Sequence, residues 1–226
     1  IAATPAAIEL YFFLQAWFQA APQALFQTHL LFRETSFHQS HQSVVKVLSI
    51  SMSIIILAIQ TTSFQRFESQ RINGRKLPWA MWLKKYCVHF LWWFFFILAR
   101  ILTIAVFYEF FPLYLSIVLS LHYGIMLIYL FYYTKYYDII TFFLNLWLGL
   151  VYIISLIEYR IKFKYADKWV LPYYIFVLMQ NMFLTLSWYF YSDWDGFWYT
   201  YVFYVIFGSM TLCILSTIIY YVLFKP

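Results

Sequence analysis

Seven apolar stretches divide this 226-residue chain, at roughly 8–32, 44–63, 86–110, 112–133, 139–157, 170–191 and 197–224. Each is near the ~20 residues that a helix needs to cross a bilayer. In hydrocarbon the backbone has to satisfy its own hydrogen bonds, which such a stretch does as a helix. The fold class that follows is all-α: a polytopic transmembrane helical bundle. Composition agrees, since 65% of the residues are hydrophobic and only 11% charged, against about 25% charged in a soluble domain. A water-soluble core with its polar shell is excluded.

Aromatic residues reach 26%, more than two interfacial belts require, so many must pack between helices. Only five glycines occur, none paired as G-x-x-x-G, and close glycine-mediated dimerisation is therefore not the packing mode. Cys87 and Cys213 fall in or beside apolar segments and read as small buried hydrophobes. The chain opens at Ile1 without a basic, Met-led leader, and an upstream region is expected to be missing.

Lys and Arg set the orientation. Arg66, Arg71, Arg75, Lys76, Lys84 and Lys85 lie between the second and third segments, opposed by Glu68 alone. That link is expected on the cytoplasmic side, and Glu109–Pro112 outside. If residues 139–157 spanned, the basic stretch Arg160–Lys168 would fall outside and Asp193–Asp195 inside, against the rule twice. Residues 139–157 are therefore expected to form a re-entrant helical pair, with Asn145 to Gly149 near its tip. An ordinary spanning helix with irregular flanking charge is the alternative.

Polar residues inside these stretches mark where function is to be sought. Gln15, Gln19, Gln23 and Gln27 recur every four residues, which lays them along one slanted stripe of a helix. Pro22 lies within the stripe and is expected to kink or loosen it. Arg100 stands in LWWFFFILARILTIAVF, Leu91–Phe107, where a charge costs ~2.5–3.5 kcal/mol on insertion scales. It is either a static interhelical clamp or a charged step on a polar pathway. Glu9, Glu109 and Asp138 all lie near segment ends, so Arg100 is expected to meet glutamine and backbone carbonyls, or an upstream segment. His122 and Gln180–Asn181 are further polar residues at depth.

Soluble-enzyme chemistry is absent from the motifs. There is no G-x-S-x-G, H-E-x-x-H, Walker loop or G-x-G-x-x-G, and no enzymatic activity, cofactor or nucleic-acid partner is expected. His29, Glu34, His38 and His41 have metal-ligating chemistry, but without fixed spacing they read as solvated loop residues.

Several of these stretches resemble the XK-related family of multi-pass membrane proteins, some of which scramble phospholipids. The resemblance rests on FQAAPQ at Phe18–Gln23 with Leu25, Gln27 and His29, and on HFLWWFFFILARILTIAVF at His89–Phe107. His122, Asn145 with Leu148–Ile153, and YYIFVLMQNMFLTLSWY at Tyr173–Tyr189 follow in order. The resemblance implies a two-repeat architecture with two re-entrant pairs, of which this chain would be the C-terminal part. It also implies a plasma-membrane protein that moves phospholipids between leaflets without ATP. Gln15, Gln19, Gln23, Arg100 and Gln180 would then face lipid headgroups, with Asn145 near the re-entrant tip. Where relatives often carry glutamates, this chain has Gln15, Gln19 and Gln180, amides that hydrogen-bond but bring no charge. The rival expectation is a scaffold that docks a single-pass partner, a second copy of itself or a lipid-transfer protein.

Overall fold

The computed structural model describes the backbone of residues 4–33, 40–73, 79–133, 138–155, 166–192 and 197–224. Side chains are described within 11–33, 44–63, 83–132, 138–155, 172–192 and 199–223. Among these residues every regular element is a helix: α1 Thr4–Arg33, α2 Ser40–Asn73, α3 Trp79–Phe110, α4 Pro112–Tyr133, α5 Ile139–Ile154, α6 Ala166–Tyr191 and α7 Phe197–Phe224. The polytopic helical bundle expected from the apolar stretches is thus what the chain forms.

Among the described residues, four helices contain runs long and apolar enough to cross a membrane: Val44–Ser63 in α2, Leu83–Phe110 in α3, Pro112–Tyr132 in α4 and Tyr199–Leu223 in α7. α1 and α6 have the length, at 30 and 26 residues, but amides and tyrosines dilute their apolar character. α2 continues past its apolar run to Asn73, because Gln, Arg and Glu sustain a helix that has left the apolar layer. α1 runs unbroken through Pro22. Pro172 falls inside α6, since that helix begins earlier, at Ala166, than the apolar pattern indicated.

Prolines also explain the tightest connection. Phe111 donates to the Phe107 carbonyl at 2.8 Å, and Leu115 to that of Phe111 at 3.0 Å, so helical bonding flanks a single non-helical residue. Pro112 has no N–H for the carbonyl one turn back, and its ring excludes helical geometry at the residue before it. α3 ends there and α4 starts on the proline.

α3 is the hub, touching α1, α2, α4, α5, α6 and α7. Trp92, Trp93, Phe96, Ile97, Ile101, Val106 and Phe107 are buried, as expected of a helix apolar on every side. Around its first half, Trp93 and Phe96 meet edge to face at 5.9 Å and Phe96 meets Tyr174 at 4.8 Å. Around its second half, Phe107 and Leu184 share a cluster with Trp188 and Ile206.

One expectation is corrected. Ile139–Ile154 is a continuous helix, so Asn145 to Gly149 do not form the tip of a helical pair. Gly149 serves packing: a Cβ there would lie 2.8 Å from Tyr123 Cε2 and 2.9 Å from Leu127 Cδ2. The glycine lets α5 press against α4. The helix ends instead at Ser155, whose φ of −148° and ψ of 136° are extended. Residues 156–157, the end of the expected pair, lie outside the described residues.

Candidate functional site: the end of α5 and the outward face of α1

α5 is 16 residues long, about 24 Å at the helical rise, short of a ~30 Å hydrocarbon layer. It lies antiparallel to α4. Phe142 meets Phe131 at 5.6 Å between ring centroids, Tyr123 Oη donates to the Leu146 carbonyl at 3.2 Å, and His122 Nε2 lies 3.1 Å from the Tyr152 carbonyl. His122 stands near the middle of α4, so α5 stops alongside that midpoint.

A helix end leaves its last carbonyls without intrahelical donors and carries partial negative charge. Three other helices answer those carbonyls. Arg100 Nε of α3 donates to the Ile153 carbonyl at 2.9 Å. His122 of α4 and Tyr173 Oη of α6 both reach the Tyr152 carbonyl, the latter at 2.7 Å. His122 Nδ1 lies 3.0 Å from Gln180 Oε1 and 3.4 Å from Arg100 Nη2, so the ring touches both α3 and α6.

The rest of the guanidinium is taken by α6. Nη1 donates to Asn181 Oδ1 at 2.7 Å and Nη2 to Gln180 Oε1 at 2.6 Å. Arg100 has 0% exposure, and among the described residues no carboxylate reaches it. Carbonyls and amides, as the sequence led one to expect, solvate the charge. Below it, Thr103 bonds back to the Ala99 carbonyl at 2.8 Å and meets Thr185 at 3.4 Å. Ser155 Oγ and Asn181 Nδ2 are buried without a hydrogen-bond partner among the described residues.

The glutamines of α1 are elsewhere. Gln15, Gln19 and Gln23 are all exposed, on a face shared with Phe12, Phe18 and Phe26. Gln23 Nε2 donates to Ser49 Oγ of α2 at 3.2 Å, which places the row beside the α1–α2 seam. Gln27 is half-buried. The opposite face of α1, Phe13, Trp17, Ala20, Ala21 and Ala24, enters the core. The structure therefore divides the predicted site residues. Arg100 and Gln180 come together with His122 and Asn181; Gln15, Gln19 and Gln23 form a separate outward row; and Asn145 is buried about two turns before the end of α5.

Of the histidines considered for metal, His29 sits 3.0 Å from Glu109 Oε2 and edge-on to Tyr108. The side chains of Glu34, His38 and His41 lie outside those described. The backbone carbonyls of Tyr152 and Ile153, and Tyr173, were not foreseen as members of the site. A helix end at that depth was the missing signal, and only an earlier stop for α5 would have supplied it.

A buried arginine capping the short helix α5, beside a helix that carries FQAAPQ with an outward amide row, agrees with a match to the description "XK-related protein" over residues 2–226. This chain belongs to the XK-related family of membrane proteins.

Proposed function

We propose that the protein is an ATP-independent phospholipid scramblase of this family. The observation that carries the reading is the outward row Gln15, Gln19 and Gln23 on α1. An amide left without a partner in an apolar medium costs about 2–7 kcal/mol. Gln23 has Ser49 of α2 as a partner; Gln15 and Gln19 on the same exposed face are tolerable if that face meets further polar groups. Headgroups passing along the row while acyl tails remain in hydrocarbon would supply them. Amides both donate and accept, so the row suits zwitterionic and anionic headgroups alike.

Arg100 and Gln180 take a different part in this reading. Their polar atoms are committed to each other and to α5, so they set the depth at which α5 stops. α5 would then be the inbound arm of a re-entrant element, and the membrane half it leaves open would lie next to the polar row.

The test is reconstitution of the purified protein in liposomes with fluorescent phospholipids on both leaflets. Transfer above that of empty vesicles, lowered by Gln15→Leu with Gln19→Leu, is the expected result. No transfer in the presence of activating cleavage or partner would refute it. A scaffold that docks a membrane partner or a second copy is the other reading, favoured by the lack of a carboxylate along the row. A stoichiometric partner captured from native membrane, with no transfer by the protein alone, would establish that reading instead.

A further inference from the structure

Phe18 of α1 stacks on Trp147 of α5, with ring centroids 5.1 Å apart and planes inclined by 24°. The setting of this pair is unusual. α1 packs along α2 and α3, and α5 packs along α4, while α1 and α5 do not pack along their length. Phe18 is 62% exposed, so the stack is made at the surface of the bundle. It also lies beside the glutamine row: Phe18 falls between Gln15 and Gln19 in the chain and about 60–100° round the helix from them. Leu14, one turn earlier on the Phe18 side of α1, is half-buried against the core.

We propose that the Phe18–Trp147 stack is a latch: closed, it holds α5 against α1 beside the polar row, and open, it widens the cleft between them enough to admit a phospholipid headgroup. The proposal rests on the row being the headgroup path. Stacked aromatic side chains contribute a factor of about 2–10 to a contact equilibrium. That is strong enough to keep the cleft mostly shut and weak enough to open thermally. The end of α5 is held by Arg100 of α3 and Tyr173 of α6, so opening is a swing of the earlier turns of α5, around Trp147, about that fixed end. Trp147 would thereby set the rate at which headgroups enter, without itself being a polar step.

The experiment measures the cleft directly. Leu14→Cys is introduced with Cys87→Ser, removing the exposed native thiol while Cys213 stays buried. The rate of labelling by a charged, water-soluble thiol reagent is then compared with Trp147, Trp147→Ala and Trp147→Phe, on protein whose melting in detergent is unchanged. The latch predicts labelling about 2–10-fold faster in Trp147→Ala and near the parent rate in Trp147→Phe, which keeps a ring. Equal rates in all three, no labelling in any, or equal acceleration by both variants would overturn it. Lipid transfer by the same proteins separates this from the function itself. If Trp147→Ala accelerates labelling but none of the proteins moves lipid, the latch stands and the scramblase reading falls.

Discussion

Arg100 Nε lies 2.9 Å from the carbonyl oxygen of Ile153, so a charged side chain of one helix completes the last turn of another. Helix ends in water are usually completed by solvent or by a local glycine turn. Here the guanidinium supplies charge opposite the negative end of the α5 dipole together with a donor for its carbonyl.

Replacing Arg100 with leucine leaves Asn181 Oδ1, Gln180 Oε1 and the Ile153 carbonyl without their donor. Each buried polar group so abandoned costs ~1–3 kcal/mol, and the expected outcome is poor folding with retention in the endoplasmic reticulum. Arg100→Lys is expected to fail almost as badly, because an ammonium has no planar fork to reach three acceptors on two helices. Thermal stability in detergent, read beside lipid transfer, decides. A normally stable but transfer-dead Arg100→Leu protein would mean that Arg100 acts on headgroups.

Asn181 offers the opposite substitution. Its Oδ1 serves Arg100 at 2.7 Å while its Nδ2 is buried without a partner among the described residues. Asn181→Asp removes the stranded donor and gives the guanidinium a counter-charge. A gain of about 1–2 kcal/mol is expected, seen as a higher melting temperature. A lower one would show that Nδ2 has a partner.

Gly149 and Gly124 should respond differently to alanine. At Gly149 the new methyl meets Tyr123 and Leu127 at under 3 Å, while at Gly124 nothing lies within 4 Å. Gly149→Ala is expected to cost about 1–3 kcal/mol through overpacking. Gly124→Ala is expected to be neutral or slightly stabilising, since alanine is the better helix former. Melting curves of the two single variants make the comparison.

The orientation of α5 can be read with single cysteines. If α5 enters and returns on one side, Arg75→Cys and Lys164→Cys are labelled from the cytoplasm only, and Asp193→Cys from outside only. Labelling of the first two from opposite sides would mean that the chain crosses between them.

Much of this was legible in the sequence, for a definite reason. A charge in the middle of Leu91–Phe107 has to be deep, and with every carboxylate near a segment end its partners were expected to be amides and carbonyls or an upstream segment. Which amides was not legible. Gln15 and Gln180 are alike in type and in apolar surroundings, yet only Gln180 reaches Arg100, 80 residues away in the chain, because the rotation of each helix about its axis is set by packing between distant segments. Asn145 and Gly149 misled for a related reason. An asparagine and a glycine close together look like a turn, but one is buried and the other makes room for Tyr123.

The pairing of α5 with Arg100, Tyr173, Gln180 and Asn181 also has a consequence for how the protein is made. α5 leaves the ribosome before α6, which brings three of those four residues. Until α6 has entered the membrane, the arginine and the carbonyl of Tyr152 each lack half of the groups that satisfy them. Biogenesis of this half of the bundle therefore has an obligatory order. α5 can pack on α4 through Gly149 at once, while the bonds from Tyr173, Gln180 and Asn181 come only with the later segment. A nascent chain interrupted between the two would present an uncovered intramembrane charge, the feature by which membrane quality control would recognise it as unfinished.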